Sequence, residues 1–351
     1  MVFCEQSKIK LTVKDKLIML FSQDIGIDLG TGNTLVCAKN KGIIVREPSV
    51  VAIDVKSQPR RVVAVGDEAK LMIGRTPGSI TAIKPLKDSV IADYDITADM
   101  LRIFMKKATA GTLFTRARVL ICIPSSITEV ERKAVHDAAK AAGARYVSLI
   151  EAPMAAAIGA GLSVTEAKGS MIVDIGSGTA EVAVISLGDI VASRTVKIAG
   201  DAFDNAIVQH IKKTYNLLIG EKTAEEIKLA VGSAAPYSGE GAISVKGRNL
   251  SDGLPGTAEI SSADVRNALS EPVNQILDAI QQTLEKTPPE LSSDIITSGI
   301  TLTGGSAGLR GLDKLIERKT GMTVHTADNP TDCVITGIAV CLQKDNLNLF
   351  R

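Results

Sequence analysis

Short apolar runs alternate along the chain with longer amphipathic stretches, the pattern of strands interleaved with helices. Residues 119–123, closed by Pro124, read as a buried strand, as do 147–150, 171–173, 182–185 and 300–303. Residues 43–53 and 61–65 alternate like strands of a smaller sheet, with Pro48 at a turn or edge. Between them, 67–74, 97–108, 128–142, 201–215, 262–286 and 309–320 carry the helical period. Thr128 can cap its helix with Glu131 completing a capping box, Thr223 with Glu226 does the same for a helix starting at 223, and Pro153 opens a small-residue helix. The run 237–256 is glycine-rich and polar, an exposed set of hairpins, while TPPE at 287–290 is a rigid break.

One stretch repeats. In MIVDIGSGTAEVAVI, residues 171–185, an apolar strand ends at Asp174, turns through Gly176, Ser177 and Gly178, and returns as a second strand. IGIDLGTGNTLV, residues 25–36, superposes on it, with Asp28 over Asp174, Gly30 over Gly176, Thr31 over Ser177 and Gly32 over Gly178. Glycines at such tips let backbone N–H groups approach an anion closely. Two hairpins with a carboxylate at each strand end imply two similar halves closing on one polyphosphate, at the carboxyl edge of the sheets. The backbone at Thr31, Gly32 and Asn33, and at Gly176, Ser177, Gly178 and Thr179, would hold phosphate oxygens. Asp28 and Asp174 would be repelled by that charge unless a divalent cation, Mg²⁺ by its habit of binding through water, sits between. A third glycine turn, Gly304, Gly305 and Ser306, follows the strand at 300–303, and no P-loop stretch is present.

Composition narrows this picture. Forty basic against 39 acidic residues, net charge +1, and 3% aromatics in 351 residues exclude the basic excess and stacking platforms of a nucleic-acid protein. Cys4, Cys37, Cys122, Cys333 and Cys341 are scattered without a C-x-x-C pair and read as buried thiols of a reducing compartment, hence cytoplasmic. Two segments remain open. In the first, Ile9, Val13, Leu17 and Leu20 recur at helical spacing beside Lys8, Lys10, Lys14 and Lys16, fitting either an amphipathic segment on an anionic lipid surface or a terminal helix packed on the domain. In the second, Leu113 and Phe114 stand in a small-residue loop between Lys106, Lys107, Arg116 and Arg118, and either plug the core or insert into a bilayer.

DLGTGNT, EAPMAAAIGAG, DIGSGTAEV and LTGGSAGLRGL resemble, in order, the phosphate-1, connecting, phosphate-2 and adenosine motifs of the actin and sugar-kinase superfamily. EPSVVAI, GRTPGSI, KDSVIADYDIT, TEVERKAV, NLLIGEKTAEEIK and EKTPPELSSDI resemble the MreB family of bacterial actins, over roughly 24–342. That resemblance implies an actin-like two-lobed α/β fold of duplicated ribonuclease-H-like halves. Lobe I would take 24–154 plus 326–351 with a smaller insertion at about 43–90, and lobe II 155–325 with one at about 200–255, after an amphipathic segment at 1–23. It implies ATP or ADP with Mg²⁺ between the lobes, with Glu225 and Lys228 at the adenosine and Gly304, Gly305, Ser306 and Ala307 at the purine turn. It further implies self-assembly into paired filaments at the inner face of the cytoplasmic membrane, organisation of cell-wall synthesis with its elongation proteins, and maintenance of cell shape. Leu113 and Phe114 match the family's membrane-inserting loop. Other members of the superfold suggest a small-molecule kinase, which lacks a catalytic Asp in the connecting motif here, or a chaperone-type ATPase, for which nothing after Leu342 offers a peptide-binding domain.

Four positions depart from the family pattern. Gly32 replaces an alanine, Ser177 a glycine and Ser306 a glycine, all small for small. The fourth is Ala152, where the family places the glutamate that orients the water attacking the γ-phosphate. A methyl group orients no water, and a loss of that kind costs roughly 10²- to 10⁴-fold in rate. Glu151, one residue earlier at a strand end, is expected to point to the other face and to be structural. ATP is therefore expected to bind but to be split slowly or not at all.

Overall fold

The computed structural model describes residues 24–58, 60–76, 78–109 and 117–343. The segment at 1–23 and the pair Leu113 and Phe114 lie outside the described residues.

The duplication seen in the two hairpins extends to whole sheets. In the first half the order is Tyr146–Glu151, Arg118–Ile123, Ile25–Leu29, Asn33–Ala38, Gly42–Pro48, the first three parallel and the last two antiparallel. In the second half Val324–Thr326, Ile300–Thr303, Ser170–Ile175, Ala180–Ser186 and Asp189–Val196 repeat the same order and directions. The central strands are apolar on both faces because helices cover both sides, which is why they read as continuous runs rather than alternations. Two smaller sheets are appended, Arg61–Val65, Val51–Asp54 and Ile80–Ile83 on the first half, and Leu217–Leu218, Ala242–Asn249 and Pro255–Ser261 on the second.

Each half has its own core, around Phe104 and Met100 in the first and around Phe203 and Ile276 in the second. A third core joins them. It takes Leu35, Cys37, Leu120 and Cys122 from one sheet, Ile172, Ala183 and Ile185 from the other, and two small-residue helices, Ala152–Gly159 and Cys333–Gln343. These helices cross at backbone contact. A Cβ on Gly159 would stand 1.8 Å from the Cys333 carbonyl oxygen, and one on Gly337 1.8 Å from that of Ala155, so neither position admits a side chain.

Local signals were partly decisive. Thr128 caps Glu129–Ala141 as expected, its Oγ accepting from the Glu131 N–H and its own N–H donating to Glu131 Oε2 at 2.9 Å. Helix Glu221–Val231, however, begins before Thr223, with Gly220 at its cap and no side-chain hydrogen bond there, because Leu217–Leu218 pairs in a sheet and leaves only a short approach. The break at 287–290 is itself a helix start, since Pro289 fits the first turn of Pro289–Ser298. The apolar segment at 334–342 is the helix of the shared core.

Candidate functional site

The register of each glycine hairpin fixes what faces the space between the halves. Ile25–Leu29 pairs with Asn33–Ala38 so that Asp28 lies opposite Leu35, and Ser170–Ile175 pairs with Ala180–Ser186 so that Asp174 lies opposite Glu181. On its other side Asp174 pairs with Thr303, the last strand residue before Gly304. The two tips touch. A Cβ on Gly32 would lie 2.6 Å from Ser177 Oγ and 2.9 Å from its Cβ, and one on Gly178 would lie 2.6 Å from Thr31 Oγ1. Gly304, at φ +89°, completes the enclosure, for a Cβ there would stand 2.3 Å from the Ile175 carbonyl oxygen and 2.5 Å from Asp174 Oδ1. Between these turns lies a cleft of about 470 Å³.

Of the residues expected at the site, Asp28, Thr31, Gly32, Asn33, Asp174, Gly176, Ser177, Gly178, Thr179, Glu225, Lys228, Gly304, Gly305, Ser306 and Ala152 all line this cleft. Two do not. Ala307 is buried in the second core, because the 3₁₀ turn Gly305–Gly308 rotates its methyl inward. Glu151 ends its strand and holds the N-cap position of the next helix without a side-chain hydrogen bond there; it does not line the cleft, and Arg132, Asp189 and the cleft's Glu181 are its charged neighbours. Burial holds its carboxyl above the ordinary range.

The electrostatics of the cleft are set by burial without a cation. Desolvation pushes the Asp28 carboxyl up to about 6, against a hydrogen bond donated by the Cys122 thiol at 3.0 Å. Asp174 is pushed up to about 8 by burial and by the negative charge of Glu181 and Asp28. Glu181 rises to about 7 by burial, although the Ser125 N–H at 3.1 Å and its Oγ at 3.3 Å both donate to Oε2 and favour the charged form. None of the three pairs with a lysine or arginine among the described residues. Hard oxygen donors lacking a counter-charge fit a divalent cation. Among the described residues no three acidic, histidine or cysteine side chains converge on one point.

At the opposite end Lys228 Nζ sits 2.8 Å from Asp204 Oδ1 and donates to the Gly200 carbonyl at 3.3 Å. Asp204 is nonetheless raised to about 6, burial outweighing the lysine. Ser306 Oγ donates to the Gly176 carbonyl at 2.7 Å, tying the third glycine turn to the second.

Sequence reasoning missed Glu181, Asp204, Ser89, Ser125 and Cys122, which also stand in or beside the cleft. Glu181 was within reach, since antiparallel pairing about a hairpin places the residues equidistant from its tip side by side, and Asp174 and Glu181 are such a pair.

Two matching α/β halves, each presenting a glycine hairpin and a strand-end carboxyl to a shared cleft, define an actin-like protein. The chain belongs to the MreB/Mbl family, whose profile, described as MreB/Mbl protein, matches residues 22–348. It is 50% identical to the cell shape-determining protein Mbl of Bacillus subtilis over 329 residues, covering 94% of this chain and 98% of that one. It is 51% identical to the cell shape-determining protein MreB of Escherichia coli over 332 residues, 94% of this chain and 96% of that one. Crystal structures of MreB5 of Spiroplasma citri bound to ADP and to AMPPNP each match with a TM-score of 0.88 at 38% identity, over 93% of this chain and 98% of theirs. A MamK double helical filament, at 21% identity and a TM-score of 0.78, shares the fold.

The carboxyls give a pH dependence of definite sign. Their folded values exceed the ordinary carboxylate range, so their contribution to stability is fully present below about pH 4 and is lost as pH rises through about 6, 7 and 8. The thermal midpoint of metal-free, nucleotide-free protein is expected to fall between about pH 6 and pH 8.5, and Asp174→Asn to flatten the upper part of that decline. A midpoint that rises over this interval contradicts the assignment.

The contact of the tips couples positions 32 and 177. Gly32→Ala alone is expected to destabilise by roughly 1–3 kcal/mol, and the double change with Ser177→Gly to recover most of it. Urea denaturation of the four proteins of that cycle measures the coupling; additive effects would refute it.

Proposed function

We propose that the chain is an ATP-binding cytoskeletal protein that polymerises into membrane-associated filaments and maintains cell shape by organising cell-wall synthesis. The observation that carries the nucleotide part is the meeting of two glycine hairpins, with Asp28 and Asp174 behind them, across one cleft. Support comes from the S. citri relative, solved with ADP and with AMPPNP. Glu225 and Lys228 would take the adenosine, Gly304 and Gly305 the purine face, and the hairpin backbones the phosphates. Mg²⁺ between the carboxyls would neutralise the phosphate charge. The lobes would divide at about 154 and 326, with the helices of the shared core between them. Filament formation is supported by the names of the relatives, a cell shape-determining protein in each curated case and a double helical filament in the case of MamK.

On this reading ATP is held but hydrolysed slowly. Ala152 lines the cleft and would stand at the family's water-orienting position, while Glu151 does not line it. Among the described residues no helix is long and apolar enough to cross a membrane, so attachment would fall to the segment at 1–23 and to Leu113 and Phe114, at the inner face of the membrane.

Sedimentation with Mg-ATP on anionic vesicles, with phosphate release read from the same samples, tests the whole reading. The protein is expected to pellet with lipid while releasing phosphate slowly, and Ala152→Glu to raise that rate roughly 10²- to 10⁴-fold. Leu113→Ser with Phe114→Ser should abolish vesicle binding and leave nucleotide binding intact. A soluble monomer that binds no nucleotide overturns the proposal, and rapid turnover by the unmodified chain overturns the part resting on Ala152.

A further inference from the structure

A third hairpin reaches the two glycine tips, and its turn is strained. Leu86–Lys87 pairs with Val90–Ile91, leaving Asp88 and Ser89 as the two turn residues, at φ +51° and +61°. A two-residue turn with both central residues left-handed normally carries glycine or asparagine, above all at the second position. A serine there keeps a Cβ in an unfavourable backbone region, and strain of this kind persists only where the surroundings over-determine it.

The surroundings of Ser89 are the two hairpins that would grip phosphate. Its backbone N–H donates to Thr31 Oγ1 at 2.8 Å, and its hydroxyl shares a hydrogen bond with Thr179 Oγ1 at 2.8 Å. Thr31 belongs to the first half and Thr179 to the second, and both are buried. The tip is also wedged, since a Cβ on Gly178 would stand 3.2 Å from the Asp88 Cα. Nearby, Lys84 pairs with Asp201 at 3.2 Å, a half-exposed contact that adds little by itself.

The proton count gives the bridge a use. Three hydroxyls meet here with one amide. The amide proton goes to Thr31, one hydroxyl proton is consumed between Ser89 and Thr179, and two hydroxyl protons are left to donate. Ser89 lines the cleft together with Thr31 and Thr179. A phosphate gripped by both hairpins at once must lie against this trio. With the base end of the cleft marked by Lys228 and the Gly304 turn, that phosphate is the one farthest from the base.

We propose that Ser89 is a specificity-determining residue for the terminal phosphate, its hydroxyl joining the Thr31 and Thr179 hydroxyls so that a triphosphate is held more tightly than a diphosphate. This rests on the nucleotide reading above. Glycine, which the turn geometry prefers, would remove the bridging hydroxyl.

Titration of fluorescent analogues of Mg-AMPPNP and Mg-ADP tests the role, with thermal midpoints measured alongside. Ser89→Ala is expected to weaken AMPPNP about three- to tenfold, the loss of one hydrogen bond, and ADP less than about twofold. Ser89→Gly should lose the same preference while raising the thermal midpoint, because it relieves the strain. Asp88→Gly should raise the midpoint and leave the preference unchanged, separating strain relief from hydroxyl loss. If both Ser89 variants bind the two ligands with the unmodified ratio, the role of Ser89 is overturned and the nucleotide reading stands. If the unmodified protein binds neither ligand, both fall.

Discussion

Everything in this molecule hangs on the crossing of two small-residue helices at backbone contact. Ala152–Gly159 and Cys333–Gln343 lie between the two five-stranded sheets and take part in a core that belongs to both. Gly159 and Gly337 let the two backbones meet with no side chain between them. A contact of this kind is stiff, since there is no rotamer to adjust and no methylene to compress. It sets how far apart the sheets stand, and hence how far apart the strand ends carrying Asp28 and Asp174 are held. The same helix begins at Ala152, so the element that spaces the halves also supplies part of the cleft wall.

The cleft above that crossing is arranged against its own electrostatics. Glu181 is buried and Asp28 and Asp174 are half-buried near it; a thiol donates to Asp28, and a serine amide and hydroxyl donate to Glu181. Such groups solvate a carboxylate without neutralising it, and folding alone gains nothing from the cluster. Perturbed carboxyls of this kind cluster at functional sites. The contacts between the halves are polar as well. Ser125 to Glu181, Ser89 to Thr179 and Lys84 to Asp201 are each modest and polar, so the halves are fixed firmly at the helix crossing and lightly at the rim.

How much of this was legible in the sequence depended on the range over which each signal acts. The glycine hairpins could be read because strand, turn and returning strand are contiguous, and the duplication made two weak turns into one strong argument. The capping box at Thr128 was legible for the same reason, whereas the cap proposed for Thr223 failed because a neighbouring strand determines where that helix starts. Ala152 lines the cleft as the first residue of the helix that follows the strand ending at Glu151. Ser89 and Ser125 were not legible, since their partners lie 56 to 90 residues away along the chain and nothing local marks them. That Ala307 packs in the core and does not line the cleft was not legible, because a motif gives positions along the chain and not the rotation of a 3₁₀ turn. The segment at 1–23 and the Leu113 and Phe114 loop lie outside the described residues.

The contact between Gly32 and Ser177 also bears on how this sequence could have arisen. The family pattern has alanine at the first position and glycine at the second, so a bulky group has in effect moved from one lip of the cleft to the other. The order of the two changes matters. Serine arriving opposite alanine would bring the two Cβ atoms to about the 2.9 Å separation measured here. Alanine lost first leaves two glycines facing each other, which any backbone tolerates. The less costly route therefore runs through the glycine pair, and once serine is in place the return of alanine carries the roughly 1–3 kcal/mol expected for Gly32→Ala.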